Sequence, residues 1–292
     1  MKRAMITGAD GFIGRHMTWY LRDLGWETNI CDSTFGYGVV EMVAAHSVGM
    51  IPPYDLVVHA AAVGPNRLAI DTQPDTFIYN SYLDAKMFDW VVRTGQRRFV
   101  YLSSSAVYPR AYQDSELTSI KLAETDVDWD DPAPAFDDYG ECKLHGERMA
   151  FAARLSGAKV TVVRPFSGYG SDQSADFPFG AFVARAKRRE DPFTIWGSAK
   201  QTRDFVHVDD ICAAIMAIVD ADVVDPVNIC TGVGTTMMKL RDLVCETAGY
   251  EPDTFVDGDS PLGVMRRVGD PTFMQQFYTP RVTLHEGVTR AF

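Results

Sequence analysis

The chain has 292 residues, 46% apolar and 23% charged, with a formal net charge of −11: an ordinary globular composition, large enough for one substantial core with a smaller lobe attached. So acidic a chain has no basic stripe to displace phosphate counterions, which excludes a general nucleic-acid binder, and no apolar run approaches the roughly 18 residues of a membrane span. Its 5 cysteines form no CxxC pair and no cluster with histidine, so neither a metal site nor a disulfide framework is indicated.

Ala4-Met5-Ile6-Thr7 is a short apolar run that passes into Gly8-Ala9-Asp10-Gly11-Phe12-Ile13-Gly14 and then into a helix-like segment from Arg15 to Leu24. Strand, glycine turn and helix in that order is the setting for dinucleotide binding. Gly8 allows the tight turn, Gly11 lets backbone approach a pyrophosphate, and Gly14 lets helix pack on strand. The helix N-terminus offers N–H groups and positive dipole to phosphate. A plain glycine turn before a helix is the alternative. Met1-Lys2-Arg3 runs straight into the first strand, so no leader is expected and a cytoplasmic protein is. The next apolar run, Trp26 to Cys31, ends at Asp32. An acid at that strand tip accepts hydrogen bonds from the adenosine ribose and repels a 2′-phosphate, which predicts NAD rather than NADP; a strand-end turn aspartate would read the same way.

Residues 33–53 carry Gly36, Gly38, Gly49, Pro52 and Pro53 and no clear period. Asp55 to Ala62 then reads as a buried strand leaving through Ala60, Ala61 and Ala62, small residues against which a cofactor can lie. His59 at its end reads as a packed histidine rather than a catalyst. Thr76 to Thr94 is a helix carrying Asn80, Tyr82 and Lys86, followed by the strand Arg98 to Leu102, whose end bears Ser103-Ser104-Ser105-Ala106-Val107-Tyr108-Pro109. Serines there lie where open α/β sheets place ligands. Tyr139 and Lys143, four apart on the helix from Tyr139 to Leu155, share one face and would close a Ser/Tyr/Lys constellation. Tyr82 and Lys86 have the same spacing but precede the serine strand, and read as a surface pair.

Between Tyr108 and Tyr139 lies an acidic insertion, residues 110–138, expected to be a solvated loop or, alternatively, a lid. Lys159 to Val163 is a strand that leads into Arg164-Pro165-Phe166-Ser167-Gly168-Tyr169-Gly170. Strands alternating with helices as far as this predict an α/β fold, a doubly wound parallel sheet. Beyond it come a helix from Phe179 to Arg189, a run from Phe193 to Gly197, a segment from Gln201 to Asp210 expected to open a helix, and a strand near Pro226 to Gly232.

Taken together, Thr7 with its Gly8, Gly11 and Gly14 spacing, Asp32, SSSAVYP, Tyr139/Lys143, RPFSGYG, RDFVHVDD and Gly269-Asp270-Pro271 resemble the extended short-chain dehydrogenase/reductases that act on nucleotide sugars, such as the UDP-galactose 4-epimerases. The resemblance runs over nearly the whole chain. It implies a Rossmann domain over 1–165, including the insertion, that holds NAD, and a smaller α/β lobe over 166–292, partly interleaved with it, that holds a nucleotide diphosphate-sugar. The implied cofactor residues are Gly8, Gly11, Phe12, Ile13, Gly14, Asp32, Ala60, Ala61, Ala62, Asn80, Ser103, Tyr139, Lys143, Pro165 and Phe166. Those implied for substrate are Ser104, Ser105, Ser167, Thr194, Trp196, Arg203 and Arg266, with Arg267 as an alternative to Arg266. A salt bridge to Asp204 or Asp209 is the plainer reading of Arg203. The family's dimer implies pairing through the helices near 77–94 and 139–155.

The implied chemistry rests on Ser104, Tyr139 and Lys143. Tyr139 takes a proton from a sugar hydroxyl, Lys143 supplies the positive charge that favours a phenolate, and Ser104 holds the reacting oxygen. Three departures narrow the reaction. The family's 4,6-dehydratases carry Asp-Glu where this chain has Ser105-Ala106, so water elimination lacks its acid/base pair. GDP-fucose synthases and GDP-mannose 3,5-epimerases place a cysteine at the position of Ala106, whose absence counts against epimerisation at C3 or C5. Ser167 stands where the family commonly has asparagine. The implied reaction is NAD-dependent C4 epimerisation of an NDP-hexose through a transient 4-keto sugar; the alternatives are a 4-ketoreductase or dehydrogenase, then a 4,6-dehydratase.

Overall fold

The computed structural model describes residues 1–32, 38–39, 54–62, 75–114, 119–129, 137–258 and 263–292, with the side chains of 75–76 and 137–138 outside that description. The weakly patterned stretch after Asp32 lies almost wholly outside it. Two compact units are formed.

The first unit comprises Met1–Val107, Ala135–Arg164 and Cys212–Val227. Its strand β1 (Arg3–Thr7) lies between β2 (Glu27–Cys31) and β3 (Leu56–His59), and β4 (Arg98–Leu102) and β5 (Lys159–Pro165) continue the sheet beyond β3, all parallel. With β9 (Val227–Ile229) the order is β2-β1-β3-β4-β5-β9, the Rossmann-type α/β sheet expected from the alternation of elements. Every residue of β3 is buried, as in a strand covered on both faces. Helix α1 (Phe12–Asp23) buries Gly14, Met17, Thr18 and Leu21, one stripe at helical spacing. Helix α2 (Asp75–Thr94) packs along helix α3 (Asp137–Arg154), with Ser81 Oγ 3.5 Å from Cys142 Sγ. Met87, Phe88, Trp90, Phe99 and Tyr101 fill the space between these helices and the sheet, each large side chain contributing about 1.5–3 kcal/mol.

The second unit comprises Tyr108–Pro134, Pro165–Ile211 and Asn228–Phe292. Strand β8 (Thr202–His207) is its spine, paired with β6 (Ser167–Tyr169), β10 (Gly234–Thr236) and β12 (Arg266–Arg267). Strands β7 (Phe193–Trp196) and β11 (Thr254–Asp257) form a separate parallel pair. Helices α4 (Pro178–Lys187), α6 (Met237–Thr247) and α7 (Leu284–Arg290) share with β7 and β8 a core of Tyr169, Phe179, Phe182, Phe193 and Phe205. Asp210 fastens the C-terminal stretch, accepting from the Tyr278 hydroxyl at 2.6 Å and from the N–H groups of Arg281 and Val282 at 2.9 Å.

Two expectations change here. Gln201 to Asp210, expected to open a helix, forms β8 first, and helix α5 begins only at Val208 and runs to Asp220. Burial of Asp204, Phe205, Val206 and His207 in succession marks a strand covered on both faces, a pattern that periodicity cannot separate from the start of a buried helix. The described part of the acidic insertion is largely exposed, as a solvated loop would be, but it is anchored through the buried Gln113, Leu122 and Val127. Leu122 is buried, its N–H donates to Val268 O and its carbonyl accepts from Asp270 N–H, each at 2.9 Å. Asn228 holds the same stretch, donating from Nδ2 to Leu122 O and from its backbone to Glu124 Oε1, both at 2.8 Å. Among the described residues no helix is long and apolar enough to cross a membrane.

Candidate active site

The glycine turn is fixed by close approach. Gly8 has φ of +66°, and a Cβ there would stand 2.6 Å from the backbone of Ala61, so the position takes only glycine. A Cβ on Gly14 would stand 2.0 Å from Gly8 O, which presses the start of α1 onto the turn. Gly8 N–H donates to Cys31 O at 2.9 Å and Ala60 N–H to Thr7 O at 3.2 Å, tying together the tips of β2, β1 and β3. Helix α1 opens at Gly11 with no side-chain cap and no acid in its first turn. The N–H groups of Phe12, Ile13 and Gly14 at that end therefore suit the pyrophosphate of a dinucleotide. Asp32 accepts from Asp10 N–H at 3.1 Å, which sets its carboxylate at the tip of β2 beside the turn. Ala60, Ala61 and Ala62 leave β3 half-buried and Asn80 is buried on α2. Together these residues fit a dinucleotide. Pro165 ends β5, and Phe166 is buried in the second unit with its ring centroid 6.1 Å from that of Tyr108.

At the end of β4 the three serines part company. Ser103 is buried and donates its hydroxyl hydrogen to Glu147 Oε1, a carboxylate that also receives Arg164 Nε at 2.9 Å and Nη2 at 2.7 Å. Ser105 and Ala106 are buried in a 3-10 turn, Ser105–Val107. Ser104 alone is half-buried, and its Oγ accepts Ala106 N–H at 3.1 Å, which leaves its own proton to donate. The 3-10 turn packs against α3, where Tyr139 is half-buried and Lys143 buried. Lys143 Nζ donates to Leu102 O at 3.0 Å and stands 6.0 Å from the centre of the Tyr139 ring. Ser104, Tyr139 and Lys143 thus gather at one end of the sheet. Tyr82 and Lys86 are the surface pair expected, with Lys86 Nζ 5.5 Å over an exposed Tyr82 ring.

Beside Lys143 lies a buried network that sequence reasoning missed. Tyr101 donates to Asp84 Oδ2 at 2.5 Å, and the His59 ring spans Asp84 Oδ1 at 3.0 Å and Thr7 Oγ1 at 2.7 Å. Burial alone would push the Asp84 carboxyl up, but the Lys143 charge and the bonds from His59 and Tyr101 outweigh it and hold it below its ordinary value. Burial likewise works against the Lys143 ammonium, and Asp84, with Tyr139, Cys142 and Glu147, reverses the sign and raises it. Burial and then Asp84 push the Tyr101 phenol well above its usual range. The available signal was an acid, Asp84, on the helical stripe that also carries Asn80, Met87 and Phe88, all buried.

In the second unit, Arg203 on β8 is half-buried, and its Nη1 donates to Thr202 O at 2.9 Å. Burial pushes its guanidinium down to about 10, so it stays charged at neutral pH. The alternative of a bridge to Asp204 or Asp209 is not realised. Asp204 accepts from Thr231 and from the N–H groups of Gly232 and Gly269, and Asp209 receives Arg290. Strand register pairs Arg203 with Arg267, and Arg266 with Thr202. Paired positions point to one face, so Arg267 shares the Arg203 face and Arg266 takes the other, where its Nη1 approaches Gly234. Arg267 Nε donates to Gln113 Oε1 at 2.6 Å. Ser167 on β6 is half-buried. Thr194 O accepts from Arg185 Nη1 at 2.7 Å, and the Arg185 guanidinium lies 4.8 Å from the exposed Trp196 ring.

A family model described as Epimerase, NAD dependent epimerase/dehydratase family, matches residues 4–230. Among curated proteins the chain is similar to GDP-mannose 3,5-epimerase 1 of Oryza sativa subsp. indica, 27% identical with 98% of this chain and 79% of the relative covered. It is similar also to the GDP-L-fucose synthase of Sinorhizobium fredii, 25% identical with 82% and 78% covered. Among solved structures, the UDP-glucose 4-epimerase of Thermus thermophilus in complex with NAD shares the fold with a TM-score of 0.83 at 21% identity, covering 99% of this chain and 97% of that one. MoeE5 in complex with UDP-glucose and NAD matches with a TM-score of 0.81 at 26% identity over 100% and 97%.

Proposed function

The chain belongs to the NAD dependent epimerase/dehydratase family, with NAD as its cofactor, and from that premise we propose that it modifies a nucleoside-diphosphate sugar by epimerisation at C4. The glycine turn, the open end of α1 and Asp32 would hold the dinucleotide, which when bound exchanges a hydride with the sugar carbon. The remaining work falls to this chain's own groups. Tyr139 takes the proton of the sugar hydroxyl, and the Lys143 ammonium supplies the charge that a phenolate needs. Ser104, whose Oγ already accepts Ala106 N–H, donates to the reacting oxygen. Arg203 and Arg267, side by side in strand register, offer charge-assisted bonds to a diphosphate.

The observation that carries the C4 reading is the turn Ser105-Ala106, buried and without an ionisable side chain directly after Ser104. It supports a site whose side-chain base is Tyr139, with no acid or base at Ser105-Ala106 for eliminating water or for deprotonating a carbon at C3 or C5. A second reading, a 4-ketoreductase, draws support from the likeness to a GDP-L-fucose synthase. The burial of all five cysteines suits a reducing, cytoplasmic setting. The test is to release bound small molecules from denatured protein for mass spectrometry, then follow UDP-, GDP- and dTDP-hexoses by NMR. Epimerisation predicts retained NAD and a C4 epimer with no net change in reduced-nicotinamide absorbance. Stoichiometric consumption of added NADH or NADPH would replace the epimerase reading with the reductase one.

A further inference from the structure

We propose that Asp84 is a positioning residue, the buried counter-charge of the Lys143 ammonium, and that through His59 and Thr7 it couples that ammonium to the glycine turn. The inference deepens the proposed function and rests on that reading for its catalytic meaning.

The charge pairing decides which acid serves Lys143. Among the described residues of the first unit, the buried carboxylates are Asp84 and Glu147, and the buried side-chain cations Lys143 and Arg164. Glu147 is taken by Arg164 through two bonds, at 2.9 and 2.7 Å, with Ser103 as a third donor. Asp84 remains, and Tyr101 links it to Lys143: the phenol donates to Asp84 Oδ2 and its ring lies under Lys143 Nζ. A buried charge without an opposite charge is strongly destabilising, and Asp84 and Lys143 are the two buried charges left among the described residues of this unit after Glu147 and Arg164 have paired.

The geometry around Asp84 is complete in donors and acceptors. With the ring proton on Nε2, His59 donates to Asp84 Oδ1 and accepts the Thr7 hydroxyl at Nδ1. Thr7 Oγ1 in turn accepts Ala61 N–H at 3.2 Å, in the backbone that a Cβ on Gly8 would strike. Tyr101 donates to Asp84 Oδ2, and its ring carries Lys143 Nζ 5.0 Å from its centre. Room for that phenol is cut into α3: a Cβ on Gly146 would stand 1.8 Å from the Tyr101 oxygen. The Tyr101 ring from β4 and the Tyr139 ring from α3 lie beside Lys143 Nζ, and the charges that act on it are those of Asp84 from α2 and of Tyr139, Cys142 and Glu147 from α3. Of the two carboxylates among them, Glu147 already holds Arg164, and Asp84 is the one whose buried cation is Lys143.

The test reads Lys143 directly. Protein labelled with 15N at the lysine side-chain nitrogen, with Lys143→Met to assign the signal, is titrated by NMR as wild type, Asp84→Asn and Tyr101→Phe. Asp84→Asn keeps the shape and removes the charge; Tyr101→Phe removes a bond and keeps the charge. Asp84→Asn is expected to lower the Lys143 midpoint by roughly one pH unit or more, and to move the alkaline fall of kcat down with it while KM changes little. Tyr101→Phe is expected to leave both in place. A Lys143 midpoint unchanged in folded Asp84→Asn overturns the proposal. Should that variant not fold, the wild-type signal decides, because a midpoint below the ordinary lysine value of about 10.4 means that desolvation prevails and Asp84 is not the counter-charge. Inactivity on every nucleotide sugar would sink the functional reading and leave the Lys143 titration, and the assignment resting on it, standing.

Discussion

In the proposed reaction Tyr139 and Lys143 would divide a single task between a half-buried phenol and a buried ammonium. The phenol can meet substrate and the ammonium stays out of water. Replacing Tyr139 by Phe removes the proton acceptor and little packing, and is expected to lower kcat by about 10²–10⁴-fold while NAD stays bound. Turnover with nucleotide sugar and the cofactor content of the purified variant check this, and near-normal turnover would remove Tyr139 from the chemistry. The arginines make a sharper case, because adjacent residues are expected to behave differently. Arg203 and Arg267 share a face by register while Arg266 takes the other. Arg203→Met and Arg267→Met should each raise KM by roughly 10–100-fold with little change in kcat, as expected when binding common to ground and transition states is lost. Arg266→Met should leave KM near wild type. A KM effect confined to Arg266→Met would reverse the assignment.

At the scale of elements, much of the first unit can be read from the sequence. Arg98 to Leu102 is a strand at the boundaries its apolar run suggests, and α1 begins three residues earlier than Arg15 because the glycine turn passes directly into helix. The helix pair α2 and α3 was legible too, and its outer surface leads to a prediction. Ile78, Tyr79 and Tyr82 lie exposed on α2, Ile78 at 67%, which is costly for a lone helix face and ordinary for one that pairs. We propose that α2 and α3 pair with those of a second copy. Light scattering after gel filtration should give a dimer for wild type and a monomer of similar melting temperature for Ile78→Asp with Tyr82→Asp; a wild-type monomer would end the idea. What the sequence hid lies in longer-range relations. The acidic insertion looks solvated by composition, yet Leu122 is pinned by partners more than a hundred residues away. The choice between Arg266 and Arg267 is a matter of strand register, and the Asp84 network draws on three strands and two helices at once.

For the molecule as a whole, connectivity matters more than the apparent boundary near residue 165. Each unit is assembled from three separate stretches, and Cys212–Val227 returns to the first after the chain has begun the second. That return is structural. Ile215, Ile218 and Val219 are buried, Thr161 Oγ1 donates to Val223 O at 2.9 Å, and Asp222 receives Arg98 at 3.3 Å and Lys159 at 2.7 Å. The surface pairs with Asp222 contribute little. The three apolar side chains, at about 1.5–3 kcal/mol each, together approach the roughly 5–15 kcal/mol by which a whole domain is stable. A fragment ending at Pro165 would contain the glycine turn, Asp32, Ser104, Tyr139 and Lys143, and so every residue of the first unit assigned here to cofactor and chemistry. It is nonetheless expected to lack a cooperative thermal transition and to bind NAD weakly, since Leu56, Phe99 and Val100 would lose Val219, Val223 and Val224 across the cavity they line together. Near-UV circular dichroism during heating and a titration with NAD decide the matter. A sharp transition with tight NAD binding in that fragment would mean that the first unit folds without the returning segment, and that its stability lies in the sheet and the glycine turn alone.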